Sequence, residues 1–241
     1  MKAFARSDIG KVREMNQDSL FISGPDDEVK LFIVADGMGG YKGGEVASKL
    51  AVDSTKSYIL NNFASIKKEK EAILDLIRNA IEYANMVIYE KSKEIEDYSG
   101  MGTTIDICII LSGRVYIGHV GDSRVYRLRK QFLRKLTVDH NYVEQLVKQG
   151  NITKEEAYNH PKKNMLTKAL GCTAFVEPDV MVKGFQKDDI LLMCTDGLTN
   201  MVKEDGIFEI ITKNPEDACN VLIEKANENG GLDNITAVII L

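Results

Sequence analysis

The chain has 241 residues, 44% hydrophobic and 28% charged, the proportions of an ordinary globular protein, which excludes a disordered or fibrous chain. Its 31 Lys and Arg against 36 Asp and Glu leave a formal charge of -5, which argues against whole-surface attraction to nucleic acid or anionic lipid. No apolar run approaches the roughly 18 residues that span a bilayer, the opening MKAFARSDIG lacks the apolar stretch of a signal peptide, and the four scattered cysteines form no C-x-x-C pair. The expectation is therefore a cytoplasmic protein with no nucleic-acid partner, no membrane insertion and buried, reduced thiols, folded as one domain over residues 1–241.

In chain order, Leu31 to Ala35 reads as a strand, short, apolar and β-branched. Two helices follow, Glu45 to Leu60 and Lys67 to Glu96; in the second, Ile73, Leu76, Ile77, Ala80, Ala84, Val87 and Ile88 recur at helical spacing. From Thr104 to Leu111, Ile105, Ile107, Ile109 and Leu111 alternate with Thr104, Asp106, Cys108 and Ile110, the period of a strand with one well-buried face. Val115 to Val120 is a further strand. Arg127, Arg129, Lys130, Arg134 and Lys135 then form a basic stretch without an acidic residue from Ser123 to Val138, read as a solvated hairpin. The chain turns helical and polar from Asp139 to Ala169, where Thr153 and Glu156 are spaced as a capping box, so residues 139–169 read as an inserted surface flap. Strands at Ile190 to Thr195 and Ile235 to Leu241 enclose a last helix, with Asn214 as its cap, Pro215 in its first turn, Gly230 after its end, and Val221 and Leu222 in its core stripe. Helices grouped between runs of strands favour an α+β fold of mainly antiparallel sheets packed face to face.

The aspartates are placed in complementary polarity. Asp36 closes the apolar run LFIVA and Asp196 closes ILLMCT, each followed by glycine, whereas Asp18 and Asp233 open apolar segments. Neighbouring antiparallel strands run opposite ways, so these four carboxylates are expected along one sheet edge. Clustered carboxylates repel one another, a conflict that a divalent cation removes, and oxygen donors without His or Cys suit Mg²⁺ or Mn²⁺. Gly37 lets the backbone approach closely, so its carbonyl is a further candidate ligand.

Several blocks together carry a resemblance. Arg13-x-x-Asn16-Gln17-Asp18, VADGMGG at 34–40, GMGTT at 100–104, GHVGDSRVYRL at 118–128, LTVDHNYVEQLVKQGNIT at 136–153, LTKALG at 166–171, CTDGL at 194–198 and DNITAV at 233–238 resemble, in order and nearly end to end, the metal-dependent protein phosphatases. More narrowly the set is similar to bacterial serine/threonine phosphatases of the protein phosphatase 2C family. The resemblance implies a four-layer αββα sandwich with two Mn²⁺ or Mg²⁺ ions at one end of its sheets. It implies Asp36 bridging both metals, Gly37 giving one of them its carbonyl, Asp196 and Asp233 holding the other, Asp18 acting through water, and Asp122 joining Asp196 at a third, weaker site. It implies hydrolysis of phosphoserine and phosphothreonine in proteins by in-line attack of a metal-bridging hydroxide without a phosphoenzyme, with Arg13 holding phosphate oxygens. The partners implied are phosphorylated proteins, a serine/threonine kinase and its substrates; a monomer is expected.

Where eukaryotic relatives offer a histidine two positions after the bridging aspartate, this chain has Met38, and Tyr41 stands where many bacterial relatives have one. The proton donor to the leaving group is thus unassigned among His119, His140 and His160; His119 reads as a packed strand residue, and His160, in the flap, as a substrate contact. A dinucleotide loop over Gly37 to Gly44 fails on spacing, because G-x-G-x-x-G begun at Gly37 ends on Lys42. The alternative function is a non-catalytic, phosphoprotein-binding regulatory relative, against which the joint presence of Arg13, Asp36, Asp196 and Asp233 speaks.

Overall fold

The protein is described by a computed structural model over residues 1–241; the side chains of residues 40–42, Tyr41 included, lie outside the described residues. The elements in order are β1 (Ala3–Asp8), β2 (Asp18–Ile22), β3 (Lys30–Met38), α1 (Gly40–Phe63), α2 (Lys70–Glu94), β4 (Gly102–Thr103), β5 (Ile105–Leu111), β6 (Arg114–Val120), β7 (Arg124–Arg129), β8 (Phe132–Lys135), α3 (Tyr142–Lys148), α4 (Lys154–Tyr158), β9 (Asp179–Gly184), β10 (Ile190–Cys194), α5 (Asp196–Thr199), α6 (Glu204–Lys213), α7 (Ala218–Glu228) and β11 (Ile235–Ile240). They build two antiparallel sheets, ordered β1-β11-β10-β7-β8 and β2-β3-β5-β6-β9, with β4 paired to β3. The fold class is α+β, as expected.

Alternation along each strand sorts the side chains into three cores. Phe32, Val34, Cys108, Ile110 and Ile117 of one sheet meet Val125, Leu191, Met193, Val238 and Ile240 of the other. On the outer face of the first sheet, Leu31, Ile33, Ile105, Ile107 and Ile109 pack against Ile59, Ile73, Ile77, Ile81 and Ile88 of α1 and α2. On the outer face of the second, Leu192, Ile235 and Ile239 meet Ile207, Ile211, Leu222 and Ile223 of α6 and α7. The layers thus run helix, sheet, sheet, helix.

Four expectations change. β5 is buried on both faces, because a second sheet covers the side on which Cys108 and Ile110 stand. Asn214 does not cap the last helix; it ends α6, a helix that Ile207 and Ile211 anchor, and α7 starts after Asp217. Val221 is 38% exposed, since α7 turns Cys219, Leu222, Ile223 and Ala226 inward instead. Cys172 is exposed, whereas Cys108, Cys194 and Cys219 are buried and free. The capping box forms as the spacing requires, with the Thr153 hydroxyl accepting from the Glu156 N–H and Glu156 reaching back to the Thr153 N–H at 2.7 Å. Among the described residues no helix is long and apolar enough to cross a membrane.

Candidate active site

At one end of the sandwich a cleft of about 790 Å³ opens between the two sheets. Arg13, Asp36, Gly37, Asp122, Asp196 and Asp233 line it, together with Thr104 and, from the flap, Asn164 and Leu166. The carboxylates do not share a single sheet edge. Asp18 and Asp36 face each other directly across the β2–β3 pairing, while Asp196 follows β10 and Asp233 precedes β11 in the other sheet. Each sheet contributes one strand end and one strand start, and stacking the sheets aligns the two pairs.

Hydroxyls and amides remote in sequence hold these acids in place. Asp18 Oδ2 accepts from Thr195 Oγ1 at 3.0 Å and Thr236 Oγ1 at 2.6 Å. Asp196 accepts from Asn200 Nδ2 at 3.0 Å. Thr104 fixes the Asp36 backbone, its Oγ1 accepting the Asp36 N–H at 3.0 Å while its own N–H donates to the Asp36 carbonyl at 2.9 Å. Asn234 sews the N-terminal segment to β11: its Oδ1 accepts from the Gln17 N–H, and its Nδ2 donates to the Ile9 and Met15 carbonyls, each at 2.9 Å. Arg13 Nη2 donates to Asp233 Oδ2 at 2.8 Å. Gly37 is required for fit, because a Cβ there would lie 2.0 Å from the Gly44 carbonyl oxygen and 2.7 Å from that of Gln17.

Burial raises the pKa of Asp18 to about 7, with Asp196 and Asp233 adding to it against the two threonine hydroxyls. Asp36 is driven well above the usual carboxylate range by burial first, then by Asp18, Asp196, Asp122 and Asp233. Asp122 is likewise raised, by burial and then Asp196. Asp196 reaches about 6 through burial and Asp233, although the Arg124 charge and then a hydrogen bond with Asp36 pull it down. Neutral carboxyls are what an uncompensated acidic cluster in low dielectric produces. Asp18 Oδ2, Asp196 Oδ2 and Asp233 Oδ2 accept from protein donors, and among the described residues no three His, Cys, Asp or Glu side chains stand as a group that could hold a metal ion in this arrangement. The donor chemistry is nevertheless all hard oxygen, and Asp18 Oδ1 is buried without a partner.

None of the three histidines lines the cleft. His119 is fully buried, its Nδ1 2.7 Å from Asp106 Oδ1 and its Nε2 3.0 Å from the Val138 carbonyl. Both ring nitrogens face acceptors, the pattern of an imidazolium; burial works to lower its pKa, but the Asp106 carboxylate outweighs that and the net shift is upward. His140 Nδ1 accepts the Gly121 N–H at 3.2 Å, and burial, then the neighbouring His119, lowers its pKa to about 4. His160 stays within the flap, where its Nδ1 accepts the Lys162 N–H at 3.1 Å. The structure thus brings together Arg13, Asp18, Asp36, Gly37, Asp122, Asp196 and Asp233, and leaves His160 apart from them. Thr195, Thr236, Asn234 and Thr104 went unassigned in the sequence, although they lie inside the CTDGL, DNITAV and GMGTT blocks.

The helix-flanked pair of antiparallel sheets is the fold of serine/threonine phosphatases solved from Mycobacterium tuberculosis and Staphylococcus aureus, each of which superposes over 99% of this chain. The chain belongs to the protein phosphatase 2C family, which residues 10–219 match. It is 41% identical over 242 residues to the serine/threonine phosphatase stp of Listeria monocytogenes, covering 100% of this chain and 95% of that protein. The serine/threonine phosphatase Stp1 from Staphylococcus aureus superposes with a TM-score of 0.91 at 36% identity, over 99% of this chain and 93% of that one. The catalytic domain of the phosphatase PstP, solved in complex with two manganese ions, superposes at 0.85 with 33% identity, over 99% and 96%.

Proposed function

We propose that this metal-dependent phosphatase removes phosphate from phosphoserine and phosphothreonine in proteins by direct transfer to water, without a phosphoenzyme, and so reverses a serine/threonine kinase. The observation that carries the reading is the convergence of Arg13 with Asp36, Asp122, Asp196 and Asp233 on one cleft. A phosphomonoester dianion cannot approach several carboxylates unless cations offset them, and the all-oxygen donor set with the partnerless Asp18 Oδ1 suits Mn²⁺ or Mg²⁺. Asp36, the Gly37 carbonyl, Asp196 and Asp233 would hold a pair of ions, with Asp18 contributing through water and Asp122 joining Asp196 at a third site. When bound, such ions neutralise phosphate charge and bring the pKa of coordinated water toward neutrality.

The rest falls to the chain's own groups. Arg13, half exposed at the mouth, exchanges its Asp233 partner for phosphate oxygens, which its planar fork meets in bidentate fashion. Asp36, whose pKa burial and its acidic neighbours raise, would hold a cation in its ionised form. The leaving alkoxide takes a proton from solvent in the cleft, since His119 and His140 are engaged elsewhere and His160 lies away from it. Residues 139–169 serve as a flap on a single catalytic domain, and a monomeric, cytoplasmic signalling enzyme fits the sequence. The test is hydrolysis of an aryl phosphate and a phosphothreonine peptide with Mn²⁺, Mg²⁺ or chelator, for the parent and Asp196→Ala. Activity that needs the metal and falls at least about a hundredfold in the variant supports the mechanism; activity indifferent to both overturns it.

A further inference from the structure

Two large aliphatic side chains stand in the open at the mouth of this acidic cleft: Val12 is 60% exposed and Leu232 57%, and both line the cleft wall. Each precedes a member of the Arg13–Asp233 pair, so the apolar pair and the charged pair come from the same two segments. Those segments are locked backbone to backbone. The Lys11 N–H donates to the Gly231 carbonyl at 2.7 Å, and Gly10, at φ +80°, is so close that a Cβ would lie 2.2 Å from the Asp233 carbonyl oxygen. Asn234 ties Ile9 to the segment that leads into β11. Val12 and Leu232 are therefore presented by a fixed wall.

Resting on the phosphatase reading above, we infer that Val12 and Leu232 form a specificity subsite for an aliphatic side chain within two positions of the phosphorylated residue in the substrate protein. The occupant follows from continuity. A phosphate drawn to Arg13 brings its peptide across the adjoining wall, and extended residues advance about 3.3 Å each, so near neighbours reach it. An aliphatic neighbour covers apolar surface there.

The experiment is a phosphothreonine peptide set on a serine background, with Ala, Val or Leu placed singly at the two positions on either side, assayed with Mn²⁺ on the parent and on V12S/L232S, and an aryl phosphate alongside. Expected is a gain in kcat/KM at one or more positions, rising from Ala through Val to Leu and reaching about fivefold, what roughly 40 Å² of apolar surface removed from water supplies. It should appear in KM and vanish from the Leu-to-Ser peptide ratio in the double variant. Because that ratio is taken within one enzyme, general loss of activity does not mimic it, and the size series on the parent stands even if the variant fails to fold. A flat series at every position, or a gain that persists in V12S/L232S, overturns the subsite while leaving the phosphatase reading intact. Failure to hydrolyse any peptide or the aryl phosphate overturns that reading instead.

Discussion

Arg13 and Asp233 form a contact that, on the proposed mechanism, gives way when phosphate binds. The guanidinium is half exposed and its partner carboxylate 30% exposed, so the pair is weak and its loss costs the fold little. Arg13→Ala should therefore raise KM for a phosphopeptide and weaken inhibition by inorganic phosphate about tenfold or more, the worth of a charge-assisted hydrogen bond. Mn²⁺ affinity should hold or rise, because Asp233 is freed; calorimetric Mn²⁺ titration beside the kinetics checks this, and equal loss of phosphate and metal binding would refute the assignment. Asp36 and Asp196 were legible in the sequence because each ends an apolar run before a glycine. The groups that position them were not: Thr195 and Thr236 lie 177 and 218 residues from Asp18, and a hydroxyl that satisfies a distant carboxylate leaves no local pattern.

At the scale of elements, α2 does more than cover a sheet. Asn85 is buried on its inner face, accepts the Gly171 N–H at 2.8 Å and donates to the Thr173 and Ala174 carbonyls at 3.1 and 3.2 Å, clamping the segment that leaves the flap. Asn85→Leu leaves the buried Gly171 N–H without its acceptor and removes two hydrogen bonds to the Thr173 and Ala174 carbonyls, together a cost of about 2–3 kcal/mol. For a chain of this size that lowers Tm by roughly 5–10 °C; a thermal melt showing no change would mean that water replaces the amide. Periodicity exposed α2, β5 and β6 in the sequence because their apolar positions are dense and regular. It failed at β9, whose pattern is half-buried and polar at its end, and at α6, whose short stripe rests on Ile207 and Ile211. Asn214 and Pro215 signalled a boundary correctly, but an end and a beginning share the same punctuation.

For the whole molecule, the cleft sets function against stability. Asp18 and Asp196 have folded pKa values of about 7 and about 6 against an ordinary 3.8, so their contribution to folding is fully present below about pH 4 and is lost as pH rises through 6 to 7. Asp36 and Asp122 shift the same way. His140, depressed from 6.5 to about 4, acts oppositely, its contribution being lost as pH falls between those values. Several carboxyls outweigh one imidazole, so in chelator Tm should fall as pH rises from 5 to 8. Cations bind the ionised carboxylates and displace their protons, so the increase in Tm caused by Mn²⁺ should grow over the same interval. At pH 8 and a hundredfold excess over Kd it amounts to about 2.7 kcal/mol, a rise of roughly 5–10 °C. Melting curves at half-unit pH steps with chelator or Mn²⁺ measure both slopes. A Mn²⁺ increment independent of pH would show that the metal binds elsewhere, since a cation caged by these carboxyls must compete with their protons.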